Sequence, residues 1–98
     1  MSIFAVHYRY GDDAAAIAEG RPQHRAYLGT LVEGRRLLAS GPLVGLDSDQ
    51  ALLIFRADSP EAVEAMLADD PFQRDGLVAS HQIVEWNAVL GAFKDDLA

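Results

Sequence analysis

The order of strand-forming and helix-forming segments predicts an α+β fold, a four-stranded antiparallel sheet with helices on one face. Three observations carry this. Four segments have strand composition; two segments with cap signals and helical spacing separate the first from the second and the third from the fourth; and only turn residues link the middle pair. The chain is 98 residues long and half hydrophobic, enough for one domain, residues 1–98, with a core.

Residues 2–10, Ser-Ile-Phe-Ala-Val-His-Tyr-Arg-Tyr, are aromatic and β-branched, as strands are. Period two puts Phe4, Val6, Tyr8 and Tyr10 on one face and Ile3, Ala5, His7 and Arg9 on the other. Asp13 caps a short helix over 14–19, which Gly20 should interrupt. Pro22 suits the first turn of a second stretch ending at Gly34. There His24, Tyr27, Leu28, Leu31 and Val32 recur at i, i+3, i+4, i+7 and i+8, an apolar stripe.

A second strand is expected near 36–44. Pro42 cannot donate to a ladder, so this strand belongs at an edge or carries a bulge there. Leu46-Asp47-Ser48-Asp49 is turn chemistry. The apolar run Ala51–Phe55 predicts a central strand over 50–57, covered on both faces. Ser59-Pro60-Glu61 starts a helix whose buried stripe is Val63, Met66 and Leu67. Pro71 ends it, and residues 77–89 read as the last strand, followed by a mixed tail from Ala92.

This β-α-β-β-α-β order is the split βαβ, ferredoxin-like arrangement. Its helix-free sheet face needs a cover that the chain itself does not offer, which predicts a homodimer packed sheet to sheet, with a closed space between the subunits.

Eight basic and fifteen acidic residues give a net charge of −7, so nucleic acid and anionic membranes are not expected partners. The pairs Arg21/Arg25 and Arg35/Arg36 read as solvated helix charges. No apolar run reaches the length of a membrane span, and the stretch Ile3–Val6 breaks at His7 and Arg9, unlike a leader or anchor. Cysteine is absent, which excludes disulfides and thiolate metal sites and makes cytoplasm the default location.

Phosphate-cradling glycine loops, nucleophile elbows and cysteine nucleophiles are missing, so proton transfer or binding is left. His24 sits on the inward stripe, where it is either a base or a core histidine satisfied by a carbonyl. Asp70-Pro71-Phe72-Gln73 equally reads as N-cap, N1 and capping-box glutamine of one more helical turn. His7 and His81 fall on neighbouring strands, but no third ligand makes a metal motif, and no metal or cofactor is expected. The aromatics Phe4, Tyr8, Tyr10 and Trp86 fit core, interface or a stacked planar ligand.

Together, Arg21-Pro-Gln-His24-Arg-Ala-Tyr27-Leu28, Leu38-Ala-Ser40-Gly41-Pro42-Leu43, Ala68-Asp-Asp70-Pro71-Phe72, Gly76-Leu77-Val78 and Val84-Glu85-Trp86-Asn87 resemble the YCII-related (YciI-like) family in order and spacing. The resemblance implies a ferredoxin-like fold that dimerises into an α+β barrel, and a site of one His and one Asp, here His24 and Asp70. It implies a pocket lined by Gly41-Pro42, with Ser40, Phe72 and Arg21 as further substrate-binding candidates. Some relatives carry dehydrochlorinase-type elimination, and some a longer loop than residues 43–50. Two readings follow. One is a small enzyme moving protons on a small organic molecule by lyase, dehalogenase or isomerase chemistry. The other is a non-catalytic ligand-binding or interaction module using the dimer cavity. The small monooxygenases of similar barrel share the architecture alone. An enzyme needs His24 and Asp70 within hydrogen-bond reach beside an accessible cavity.

Overall fold

A computed structural model describes residues 1–97. The order is β1 (Ser2–Tyr10), α1 (Ala14–Glu33), β2 (Leu37–Pro42), β3 (Gln50–Ala57), α2 (Pro60–Ala68), α3 (Pro71–Arg74) and β4 (Val78–Glu85), then a 3-10 turn over Lys94–Leu97. The strands form one sheet in the order β2-β3-β1-β4, every neighbouring pair antiparallel. This is the ferredoxin-like α+β fold that the element order predicts.

The two central strands face the helices with Phe4, Val6 and Tyr8 from β1 and with Ala51, Leu53, Phe55 and Ala57 from β3, all buried. Leu28 and Leu31 of α1 and Val63 and Leu67 of α2 close over them. Each large side chain so buried contributes about 1.5–3 kcal/mol relative to exposure. The Tyr27 hydroxyl donates to the Met66 carbonyl at 2.6 Å and ties α1 to α2. Val32, expected on the buried stripe, is exposed.

The expected caps form. Asp13 Oδ1 accepts from the Ala16 N–H at 3.0 Å, and Ser59 Oγ from the Ala62 N–H at 3.1 Å. The expected break at Gly20 does not. α1 runs unbroken through Gly20 and Pro22, because Ile17, His24, Leu28 and Leu31 all bury on one line against the sheet, and that packing outweighs two weak helix formers. Gly20 answers to space: a Cβ there would lie 3.2 Å from Cε1 of Phe72. At the other end the left-handed residue is Arg35, with φ 57°, and Gly34 is not.

β2 is an edge strand, as Pro42 requires, but its bulge falls between Leu37 and Ala39. β4 stops at Glu85 rather than 89. After the Trp86 N–H bonds the Ile3 carbonyl at 2.8 Å, β1 has almost no backbone left to pair.

Within one chain the helix-free side of β3 is only partly covered, with Leu52 39% exposed. One end of the face is nevertheless covered by the chain itself. The segment after β4 turns back until Arg56 Nη2 donates to the Asp96 carbonyl at 3.0 Å, and Ile3 and Ile54 are buried beneath it. Among the described residues no helix is long and apolar enough to cross a membrane.

Candidate active site

The site forms where α1, β1 and the turn between α2 and α3 meet. Tyr8 points inward by strand alternation, and a buried phenol needs a hydrogen-bond partner. Pro71 excludes Asp70 from helical geometry, leaving it extended (φ −67°, ψ 125°) as the N-cap of α3. α3 packs on α1, so this cap carboxylate faces His24.

Asp70 is 1% exposed and fully engaged. Its Oδ1 accepts from His24 Nδ1–H at 2.8 Å and from the Phe72 N–H at 3.0 Å; its Oδ2 accepts from the Tyr8 hydroxyl at 3.0 Å. The cap reading and the His–Asp reading therefore hold together in one side chain. The capping box does not form: Gln73 turns its amide to His81, donating to Nδ1 at 3.1 Å, and His81 Nε2–H bonds Glu64 at 3.0 Å.

Because the carboxylate can only accept, His24 Nδ1 carries the proton, and the neutral ring's lone pair resides on Nε2. Nε2 has no hydrogen bond among the described residues, nor is it a sealed-off polar atom, so it opens to the adjoining cavity. The Phe72 ring stacks on the imidazole, centroids 4.0 Å apart and planes within 10°, and Tyr10 meets Phe72 edge-on. The imidazole is thus fixed by a carboxylate at one nitrogen and a ring on one face.

The cavity measures about 430 Å³, a volume suited to a small organic molecule. It is lined by His24, Arg21 and Phe72 and by Ser40, Gly41 and Pro42 from the β2 edge. His24 and all five substrate-binding candidates thus border it, and Asp70 stands behind His24. It lies between α1 and the sheet, on the helix side. Asp70 lies on that side too, since it bonds Tyr8, whose side chain alternation sends to the helices.

Sequence reasoning gave no polar role to Tyr8, and read Arg25, which also lines the cavity, as solvated. Period two was the signal for Tyr8; the i+4 spacing from Arg21 was the signal for Arg25. Burial and the charge of Asp70 push the Tyr8 phenol far above its ordinary range. Tyr10, at the cavity wall, is pushed up to about 12, mainly by burial and then by Asp70, against the opposing pull of Arg21. Both are hydrogen-bond donors at neutral pH.

His7 and His81 do not approach each other. His7 pairs across the sheet with Gln82 and His81 with Tyr8, so they project to opposite faces, His7 bonding Gln50 at 2.6 Å. Among the described residues no three His, Asp or Glu side chains converge as a metal site would require. A second cavity, about 510 Å³, lies under the C-terminal segment among Val32, Leu37, Ile54, Trp86 and Phe93 and holds no such base.

Solved structures share the fold. A 5-chloro-2-hydroxyhydroquinone dehydrochlorinase from Burkholderia phenoliruptrix, in complex with 2,5-dihydroxybenzoquinone, is 23% identical over 89% of this chain and 95% of its own, with TM-score 0.78. An antibiotic biosynthesis monooxygenase is 16% identical over 92% and 100%, with TM-score 0.58. A cofactor-independent oxygenase from Streptomyces nogalater is 13% identical over 92% and 94%, with TM-score 0.51. No curated protein matches the chain in sequence. The profile of the YCII-related domain matches residues 1–87, nearly nine-tenths of the chain, and the chain belongs to that family.

Proposed function

We propose that this protein is a small proton-transfer enzyme acting on a small organic molecule, by elimination or isomerisation, with His24 as general base and Asp70 as its orienting partner. The carrying observation is the 2.8 Å bond from His24 Nδ1–H to Asp70, which leaves Nε2 open to the cavity. A base must present its free nitrogen to the proton it takes, and a carboxylate behind it fixes the tautomer and stabilises the imidazolium that forms. Tyr8 and the Phe72 N–H hold that carboxylate in place. Arg21, Ser40, Gly41, Pro42 and Phe72 form the walls that bind and orient substrate.

The dehydrochlorinase of like fold supports an elimination. In it, Nε2 takes a C–H proton, or the O–H proton of a hydroxyhydroquinone's keto tautomer; the electron pair left behind forms a C=C or C=O bond, and chloride leaves from the sp3 carbon at the end of the electron shift. The imidazolium then returns its proton to water. No step needs a cofactor.

The protein acts as a homodimer, in this reading, through the helix-free face, where Leu52 and Val84 are 39% and 51% exposed. The lack of cysteine suits a cytoplasmic setting.

Chloride release from chlorinated hydroxyhydroquinones, and exchange of acidic C–H protons in deuterated water, test the activity. The wild type should turn over at least one such substrate, and His24→Ala should lose about 10²-fold or more. Equal rates in wild type, His24→Ala and Asp70→Asn would leave a binding module as the better description.

A further inference from the structure

We infer that the cavity takes a small organic anion, its carboxylate or phenolate oxygen held by Arg21, Arg25 and the Tyr10 hydroxyl beside His24. This names the substrate class of the proton-transfer site and rests on that reading for its chemistry, but its binding test does not.

Arg21, His24 and Arg25 follow each other at i, i+3 and i+4 on α1 and line the same cavity. A helix rises about 1.5 Å per residue, so the two arginine Cα atoms are about 6 Å apart along the axis with His24 between them. Neither guanidinium has a hydrogen bond or ion pair among the described residues. In a protein of net charge −7, two unengaged arginines at one cavity are a local reversal of sign. Guanidinium groups match the planar, two-oxygen geometry of a carboxylate.

Tyr10 adds a third donor. Its hydroxyl has no partner among the described residues, and its raised pKa keeps it protonated at any working pH. The opposing charge at the cavity is Asp49, with Gln50, from the start of β3. Asp49 forms no ion pair with either arginine, so it leaves their charge unneutralised. Asp70 is no rival either, because its oxygens are committed to His24, Tyr8 and the Phe72 N–H.

The arrangement fits the chemistry of Nε2. Removing a C–H proton leaves negative charge on the substrate, and donors fixed near that charge stabilise it most where water is partly excluded. An anion anchored by Arg21 and Arg25 would present its ring or chain to the imidazole between them.

The test uses two matched probe pairs at pH 8, benzoate with benzamide and 4-nitrophenolate with 4-nitroanisole, titrated calorimetrically into the full-length protein. At least one anion should bind tenfold or more tighter than its neutral partner, and which pair shows it separates carboxylate from phenolate. The preference should fall toward unity in the Arg21→Gln/Arg25→Gln double variant and several-fold in Tyr10→Phe. Both arginines are exposed, so the double variant should melt like the wild type. His24→Gln should keep the preference, so loss of turnover without loss of anion binding isolates a failure of either claim from the other. Equal binding of anion and neutral partner, an unchanged preference in the double variant, or no saturable binding by any of the four probes overturns the inference.

Discussion

Asp70 gathers three hydrogen bonds in one side chain, because it caps α3, accepts from His24 and satisfies Tyr8 at once. Asp70→Asn keeps a cap oxygen but loses the charge and one acceptor, so turnover should fall about 10²–10⁴-fold. The three hydrogen bonds it serves also make stability respond: chemical denaturation should show a loss of about 1–2 kcal/mol. A cap alone would lose far less. The histidine stripe and the Asp-Pro-Phe sequence were legible without coordinates. That one carboxylate does both jobs was not, since it depends on α3 docking against α1 and on Tyr8 reaching across 62 residues. The tyrosines give a second test. Tyr8, Tyr10 and Tyr27 all have phenols raised above the ordinary 10.0, chiefly by burial. A group whose folded pKa is raised contributes stability that is fully present below its unfolded pKa and lost as pH rises through the folded one. Tyr8 and Tyr10 should therefore give no phenolate absorbance near pH 10 in the folded protein, and unfolding should begin as pH climbs toward Tyr10's value of about 12. Ionisation of more than one of the three tyrosines near pH 10 would contradict the buried assignment.

At the scale of elements, the strands were the most legible part, since β1 and β3 match their expected spans and β2 takes the edge that Pro42 demands. α1 was the least. Gly20 and Pro22 are local breakers, and only the line of Ile17, His24, Leu28 and Leu31 against the sheet explains why the helix continues. Gly20 tests this. In an exposed helix interior, Gly→Ala normally gains about 1 kcal/mol. Gly29 on the same helix has nothing within 4 Å of an added Cβ, so Gly29→Ala should show that gain in thermal melts. Gly20→Ala should not, because its Cβ would press at 3.2 Å on the Phe72 ring that stacks against His24. It should also slow turnover by shifting that ring. Equal gains from both substitutions would show that Phe72 yields freely and does not hold the imidazole.

At the scale of the whole molecule, an uncovered sheet face was foreseeable from six elements in two layers. That the C-terminal segment covers one end of it was not, because the tail has no helical or strand pattern of its own. Leu52 and Val84 remain on the open part of that face, and apolar area buried there favours association by about 25 cal/mol per Å². Sedimentation at micromolar concentration should give a dimer, and Val84→Asp should shift it toward monomer with His24 and Asp70 undisturbed on the far side of the sheet. A wild-type monomer at that concentration would refute the assembly.

In the proposed mechanism His24 is a fixed base whose free nitrogen faces the cavity. Nitrogen-15 NMR of the neutral form of the His24 ring reads this directly. The account predicts a single tautomer, protonated at Nδ1 and pyridine-like at Nε2, which becomes mixed in Asp70→Asn. A proton on Nε2, or a rapidly averaged pair of tautomers in the wild type, would contradict it.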